Sequence, residues 1–249
     1  MTLRAWLREA PFTLAMSSGF FGFYAHAGAL TALAAAGFTP SGYAGSSAGA
    51  LVTGLRAGGC SLDELRQTLS SLRREDFWDP GPGLGLLRGR RFRERLEAMV
   101  RHRTIESCPT PYTASVFELS ARRTRSLHRG SLTTAIHASC AVPGLFHPVR
   151  IEGSLYADGG IADRPGIHGL HYGSRVLHHH LASRSPWRRE GSASTLPPKR
   201  NNLVAVSIEG ITRLNPFALD RGMKAFREGE DGMRRALDLP VHDGLVSVR

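Results

Sequence analysis

The stretch Ser41-Gly42-Tyr43-Ala44-Gly45-Ser46-Ser47-Ala48-Gly49-Ala50-Leu51 decides the fold. Its centre, Gly45-Ser46-Ser47-Ala48-Gly49, matches G-x-S-x-G, in which a serine is held on a sharp turn from a strand into a helix. The spacing has a steric cause. Small residues two places to either side let the backbone approach itself and a substrate. The flanks agree: residues 41–45 are short and apolar enough for a strand, and residues 48–57 form a helix-prone run stopped by Gly58-Gly59. Upstream, residues 12–16 read as a buried strand and residues 22–37 as a helix with Gly37 at its stop. Strand, helix, strand, helix within the first 60 residues predicts a parallel sheet with right-handed crossovers.

Further along, periodicity predicts helices over residues 61–73, 90–102, 132–141 and 217–239. It also predicts a strand over 112–119 with its return at 122–129, a hairpin over 149–157 around Glu152-Gly153, and strands over 175–181 and 203–208. Residues 79–89 hold Pro80, Pro82 and four glycines, a composition suited to a loop or mobile lid, and residues 183–200 read as an exposed loop. Gly222, Gly229 and Gly232 are expected to weaken the last helix by about 1 kcal/mol each relative to Ala. The expected architecture is one α/β domain over residues 1–249, a mostly parallel central sheet with helices on both faces.

Net charge is +11 over 249 residues, and Lys199 and Lys224 are the only lysines. Such an excess favours anionic partners, although GC-rich coding also produces arginine. Arg88, Arg90, Arg91, Arg93 and Arg95 cluster at the start of one predicted helix, but no recognition motif accompanies them, so nucleic acid is not an expected partner. Cys60, Cys108 and Cys140 form no CxxC and no even set, which favours a reducing compartment over a disulfide or zinc framework. Residues 1–11 carry Arg4, Arg8 and Glu9 without an apolar segment, and no apolar run approaches the ~20 residues of a membrane span. The expectation is a cytoplasmic protein that meets membranes from outside. His178, His179 and His180 are consecutive in a predicted strand, so they point to opposite faces and cannot converge on a metal.

Three places carry chemistry. Ser47 is the candidate nucleophile. Ser17-Ser18-Gly19-Phe20-Phe21-Gly22, between the first strand and first helix, offers backbone N–H groups to an anion. It has neither the Lys-Ser/Thr pair of a P-loop nor G-x-G-x-x-G, so a nucleotide is not favoured. Tyr156-Ala157-Asp158-Gly159-Gly160 sets an acid at a strand end; by itself it reads as an Asp-Gly turn.

Together the three motifs resemble the patatin-like phospholipases, which carry a glycine-rich oxyanion loop, a G-x-S-x-G elbow and a later Asp-Gly-Gly or Asp-Gly-Ala turn. The run Ala138-Ser139-Cys140-Ala141-Val142-Pro143-Gly144-Leu145-Phe146-His147-Pro148-Val149 is similar to the segment preceding the family's catalytic Asp. The resemblance covers residues 12–165. It implies a Ser47–Asp158 dyad without a catalytic histidine, supported by Gly45, Gly49, Gly159 and Gly160. It also implies an oxyanion hole of backbone N–H groups among Ser18, Gly19, Phe20 and Gly22. A lipid or other acyl ester is the implied substrate, peripheral contact with an anionic membrane the implied setting, and no metal or organic cofactor is implied. Two departures stand out. Ser17 and Ser18 occupy glycine positions and Phe21 a basic one, and Arg164 stands where Asn is frequent. The alternatives are a lipid-binding relative with weak turnover, and a Ser-His-Asp hydrolase using His178, His179, His180 or His242.

Overall fold

In the computed structural model, which describes residues 1–182 and 196–249, the opening pattern folds as predicted. A short helix, α1 (Leu3–Glu9), precedes β1 (Thr13–Met16), α2 (Phe23–Ala35), β2 (Gly42–Ser46) and α3 (Ala48–Ala57). There follow α4 (Leu62–Ser71), β3 (Gly85–Leu87), α5 (Arg90–Met99), β4 (Tyr112–Glu118), β5 (Arg123–Leu127), α6 (Leu132–Ser139), β6 (Gly144–Phe146), β7 (Val149–Ile151) and β8 (Ser154–Asp158). The chain ends with β9 (Val176–Leu181), β10 (Leu203–Ile208), α7 (Gly222–Ala236) and β11 (Leu245–Val248). The expected loop at 183–200 lies outside the described residues up to residue 195. Among the described residues no helix is long and apolar enough to cross a membrane.

The main sheet runs β11-β10-β9-β1-β2-β4, all parallel, with β5 antiparallel to β4 and the hairpin β7–β8 joined through β4. The fold class is therefore the expected mostly parallel central sheet of an α/β three-layer architecture. Alternation of side chains divides the core. Leu14, Met16, Tyr43, Leu177, Val204, Val206 and Val246 face the larger cluster beneath the helices. Ala15, Ala44, Val176, Leu203 and Ala205 face a smaller one, where Ile167 and Leu170 pack.

One detail of register positions the site. Ala114 and Ser115 pair with β2 and with β5, whereas Val116, Phe117 and Glu118 pair with β8 and with β5. β5 thus occupies one edge of β4, and β2 and β8 share the other. They run toward each other and meet end to end: Ser46 lies opposite Ser115, and Asp158 opposite Val116.

The glycines of α7 serve packing rather than weakening the helix without return. A Cβ on Gly229 would lie 2.3 Å from the Ala25 carbonyl oxygen, and one on Gly28 would lie 1.9 Å from that of Phe226. The two helices cross with their backbones in contact. Helix propensity alone makes Gly229→Ala stabilising by about 1 kcal/mol. The contact reverses the sign, and Gly229→Ala should lower stability by about 2 kcal/mol, read from the urea midpoint.

Candidate active site

Ser47 leaves β2 with φ 53° and ψ −120°, a strained conformation for a non-glycine residue, and starts α3 as its N-cap. Its neighbours must be glycine. A Cβ on Gly49 would come within 2.0 Å of the Met16 carbonyl oxygen, and one on Gly45 within 2.5 Å of the Ala50 nitrogen. Both ends of the Ser47 residue are held by the end of α6. Its amide donates to Ser139 Oγ at 2.9 Å, that hydroxyl donates to the Ser115 carbonyl at 2.6 Å, and Cys140 Sγ donates to the Ser47 carbonyl at 3.3 Å. Burial, with a smaller contribution from the Asp158 charge, holds the Cys140 thiol well above its ordinary pKa, so it stays protonated as a donor.

Asp158 ends β8 where that strand runs into the end of β2. The carboxylate is 6% exposed and accepts the Gly160 amide at 2.7 Å. A Cβ on Gly159 would lie 2.1 Å from the Ser115 carbonyl oxygen and 2.8 Å from Ser46 Oγ, so the Asp-Gly-Gly turn fits against the elbow only without side chains. A Cβ on Gly160 would lie 2.6 Å from Ser18 Oγ, so the same turn also abuts the loop after β1.

That loop accommodates its two serines without positive φ; the left-handed residue is Phe21, at φ 54°. Ser17 is fully buried and knits three elements together. Its amide donates to the His179 carbonyl at 3.2 Å, its hydroxyl accepts the Leu181 amide at 3.0 Å, and its carbonyl accepts His26 Nε2 at 2.8 Å. A glycine could not make the second bond. Gly19 and Gly22 sit over Leu181, whose Cδ1 would be 2.6 and 2.2 Å from an added Cβ. The Ser18 amide donates to the Arg164 carbonyl at 2.8 Å and the Gly22 amide to the Gly19 carbonyl at 2.9 Å. The amides of Gly19 and Phe20 have no hydrogen-bond partner among the described residues.

The replacement at Arg164 also has a structural account. Buried, it donates to the Leu181 carbonyl at 2.7 Å while its own carbonyl holds Ser18, and Asp163 accepts the amides of Gly166, Ile167 and His168. Ser139, Cys140 and Ser17 escape motif reading. Ser139 and Cys140 lie in the run that carries the resemblance, but nothing in their spacing announces that they grip Ser47 from 92 and 93 residues away.

An apolar cavity of about 120 Å³ opens beside Ser47. Its walls include Phe21, Leu51, Leu69, Phe77 and Leu96. His178 and His179 are fully buried in β9, His179 against His26 on α2. His242 is exposed before β11, at the end of the sheet away from Ser47.

The family model described as "Patatin-like phospholipase" matches residues 14–171. The chain belongs to the patatin-like phospholipase family. Among curated proteins, uncharacterized NTE family proteins of Mycobacterium tuberculosis and Mycobacterium bovis are each 40% identical over 154 residues. The aligned part is 60% of this chain and 42% of each relative, so the chain spans less than half the length of the relatives it matches. Among solved structures, VipD of Legionella pneumophila superposes with a TM-score of 0.67 at 16% identity, covering 91% of this chain and 66% of that one. That likeness is one of fold. The patatin-like region holds both the elbow and the Asp-Gly-Gly turn.

Proposed function

We propose that this patatin-like protein is a lipid acyl hydrolase in which Ser47 is the nucleophile and Asp158 its base. The reading is carried by the end-to-end meeting of β2 and β8 along one edge of β4, beside an apolar cavity. In this scheme Asp158 takes the Ser47 hydroxyl proton as the oxygen attacks the ester carbonyl. The oxyanion is received by the free amides of Gly19 and Phe20, with the N-terminus of α3 behind Ser47 adding its dipole. Collapse expels the alcohol, which takes the proton from Asp158, and leaves an acyl-enzyme. Asp158 then deprotonates a water that attacks the acyl group and releases the fatty acid, and the proton returns to Ser47. The cavity walls suit an acyl chain, whose burial stabilises by roughly 0.8 kcal/mol per methylene. Ser18 and Gly22, whose amides are engaged within the protein, act in this scheme through loop shape rather than as oxyanion donors.

The direct test is release of nitrophenol from a short-chain ester, and of fatty acid from phospholipid vesicles, by the wild-type chain. Turnover of neither, with vesicle binding retained, would replace this reading by a lipid-binding role.

Ser139 gives the scheme a second handle. Ser139→Ala removes the acceptor of the Ser47 amide and a donor to the Ser115 carbonyl, both buried, where the backbone is already strained. The expected result is a kcat lower by about 10- to 100-fold on a soluble ester, with KM little changed. Ser139→Thr, which keeps a hydroxyl, should recover part of the loss. Equal losses in both variants would mean that packing, not the hydrogen-bond chain, matters at this position.

A further inference from the structure

We infer that the segment around β3 is a docking surface for an anionic lipid bilayer. The inference rests on the lipid-hydrolase reading, since a lipid substrate must leave its bilayer to reach Ser47. Rather than a free loop, residues 79–91 form a strap held at both ends. The Asp79 carboxylate accepts the amides of Gly89, Arg90 and Arg91 at 3.0, 2.7 and 3.2 Å, capping α5. β3 pairs in parallel with β6, with Gly85 opposite Gly144 and Leu87 opposite Phe146.

Alternation then decides which side chains face out. Leu87 and Phe146 turn into the core beneath the strap. Leu84 and Leu86 turn outward, 74% and 47% exposed. The register sets Leu86 beside Leu145, which lines the cavity at Ser47 together with Phe20, itself 52% exposed. Exposed apolar side chains therefore stand at the opening of the acyl cavity, on a strap already ordered by its backbone.

Charge selects the occupant. Arg88, Arg90 and Arg91 are exposed on the same segment, and its one acid, Asp79, is engaged in capping α5. The Arg88 guanidinium lies along Gly81 of the strap, where an added Cβ would meet its Nε at 2.0 Å. Leucines flanked by exposed arginines match a surface that is apolar below and anionic at the phosphate level. The +11 charge of the chain adds long-range attraction to such a surface.

The test is sedimentation of the Ser47→Ala protein, which consumes no lipid, with vesicles of phosphatidylcholine alone or mixed in equal parts with phosphatidylglycerol. Binding should favour the mixed vesicles and weaken with salt. Leu84→Ser with Leu86→Ser should lower partitioning by about tenfold or more on both vesicle types. Arg88→Glu with Arg90→Glu should lower it by about fivefold per arginine on the mixed vesicles only. In the Ser47-intact background both double variants should keep wild-type turnover of a soluble short-chain ester, since none of the four residues lines the cavity. Unchanged vesicle binding by the leucine variant overturns the proposal. So does wild-type self-association that the leucine variant abolishes, which would assign the surface to a second copy of the chain. Strap-dependent binding without any hydrolysis supports the docking surface and overturns the enzymatic reading instead.

Discussion

Ser47→Ala and Asp158→Asn are each expected to lower ester hydrolysis by about a thousandfold or more while leaving the protein folded. The first removes the proposed attacking oxygen and adds no volume. The second keeps the shape of the side chain and the oxygen that accepts the Gly160 amide, so the Asp-Gly-Gly turn retains its hydrogen bond while the proposed base is lost. Comparable losses in the two variants fit residues acting as one unit, for which single effects are not additive. A double variant should therefore be scarcely worse than either single one. The Ser-His-Asp alternative makes a different forecast: Asp158→Asn would act by misorienting a histidine, and that histidine would be essential. His242→Ala should retain full activity, because that side chain is exposed at the opposite end of the sheet. His178 and His179 are fully buried, their rings committed to Pro165 and His26. The decisive readout is steady-state hydrolysis of a soluble nitrophenyl ester, with circular dichroism confirming the fold of each variant. Retention of a tenth or more of wild-type activity by Asp158→Asn would remove Asp158 from the chemistry.

The parts of this fold written in local periodicity were legible in the sequence. β1, α2, β2 and α3 lie within one or two residues of their expected bounds, because apolar runs and glycine stops report a strand or helix directly. The matched family region, 14–171, nearly coincides with the residues carrying the resemblance. Short or non-local features were not legible. β3 and β6 have three residues each, too few for any period, and they pair across 59 residues. α1 and β11 were missed, and α7 starts at Gly222 rather than near residue 217. The glycines of α7 read as helix weakeners because their reason lies on α2. The site shows the same division. The elbow and the Asp turn could be found as motifs. Their juxtaposition depends on which edge of β4 receives β8, and the bond from Ser139 depends on where α6 ends. Likewise, nothing local distinguishes the Ser18 amide, held by Arg164, from the amides of Gly19 and Phe20.

Acidification should unfold the protein well above the pH at which its surface carboxylates are protonated, because several histidines are buried in the neutral state. His26 Nε2 faces the Ser17 carbonyl, which can only accept, so Nε2 carries the proton and Nδ1 is the acceptor. Its partner His179 Nδ1, 2.8 Å away, must then be the donor. A second proton on His26 would place two donors face to face. His137 is enclosed by Phe92 and Phe146, and its ring nitrogens have no hydrogen-bond partner among the described residues. Burial lowers His26 and His137 to about 4, and His178 and His179 well below the ordinary value. Each is a group whose folded pKa is depressed below its unfolded value near 6.5, and whose neutral form is the one the fold accepts. Its full stabilising contribution is therefore present above pH 6.5 and is lost as pH falls toward the folded pKa. By pH 5 the loss is about 2 kcal/mol for each of His26 and His137, at 1.36 kcal/mol per pKa unit. Together these two amount to about 4 kcal/mol, a large share of the ~5–15 kcal/mol that holds an ordinary domain together, and His178 and His179 act in the same direction. Paired surface carboxylates such as Glu64, lowered to about 2 chiefly by Arg101, contribute only below about pH 4.5 and cannot imitate this window. The expected observation is a steep fall in the urea midpoint between pH 6.5 and 5, without the same fall between 8 and 6.5. His137→Leu, which places an apolar side chain among the same rings, should remove about 2 kcal/mol of that drop. A midpoint that stays flat down to pH 5 would mean that these imidazoles are hydrated or already charged in the folded protein.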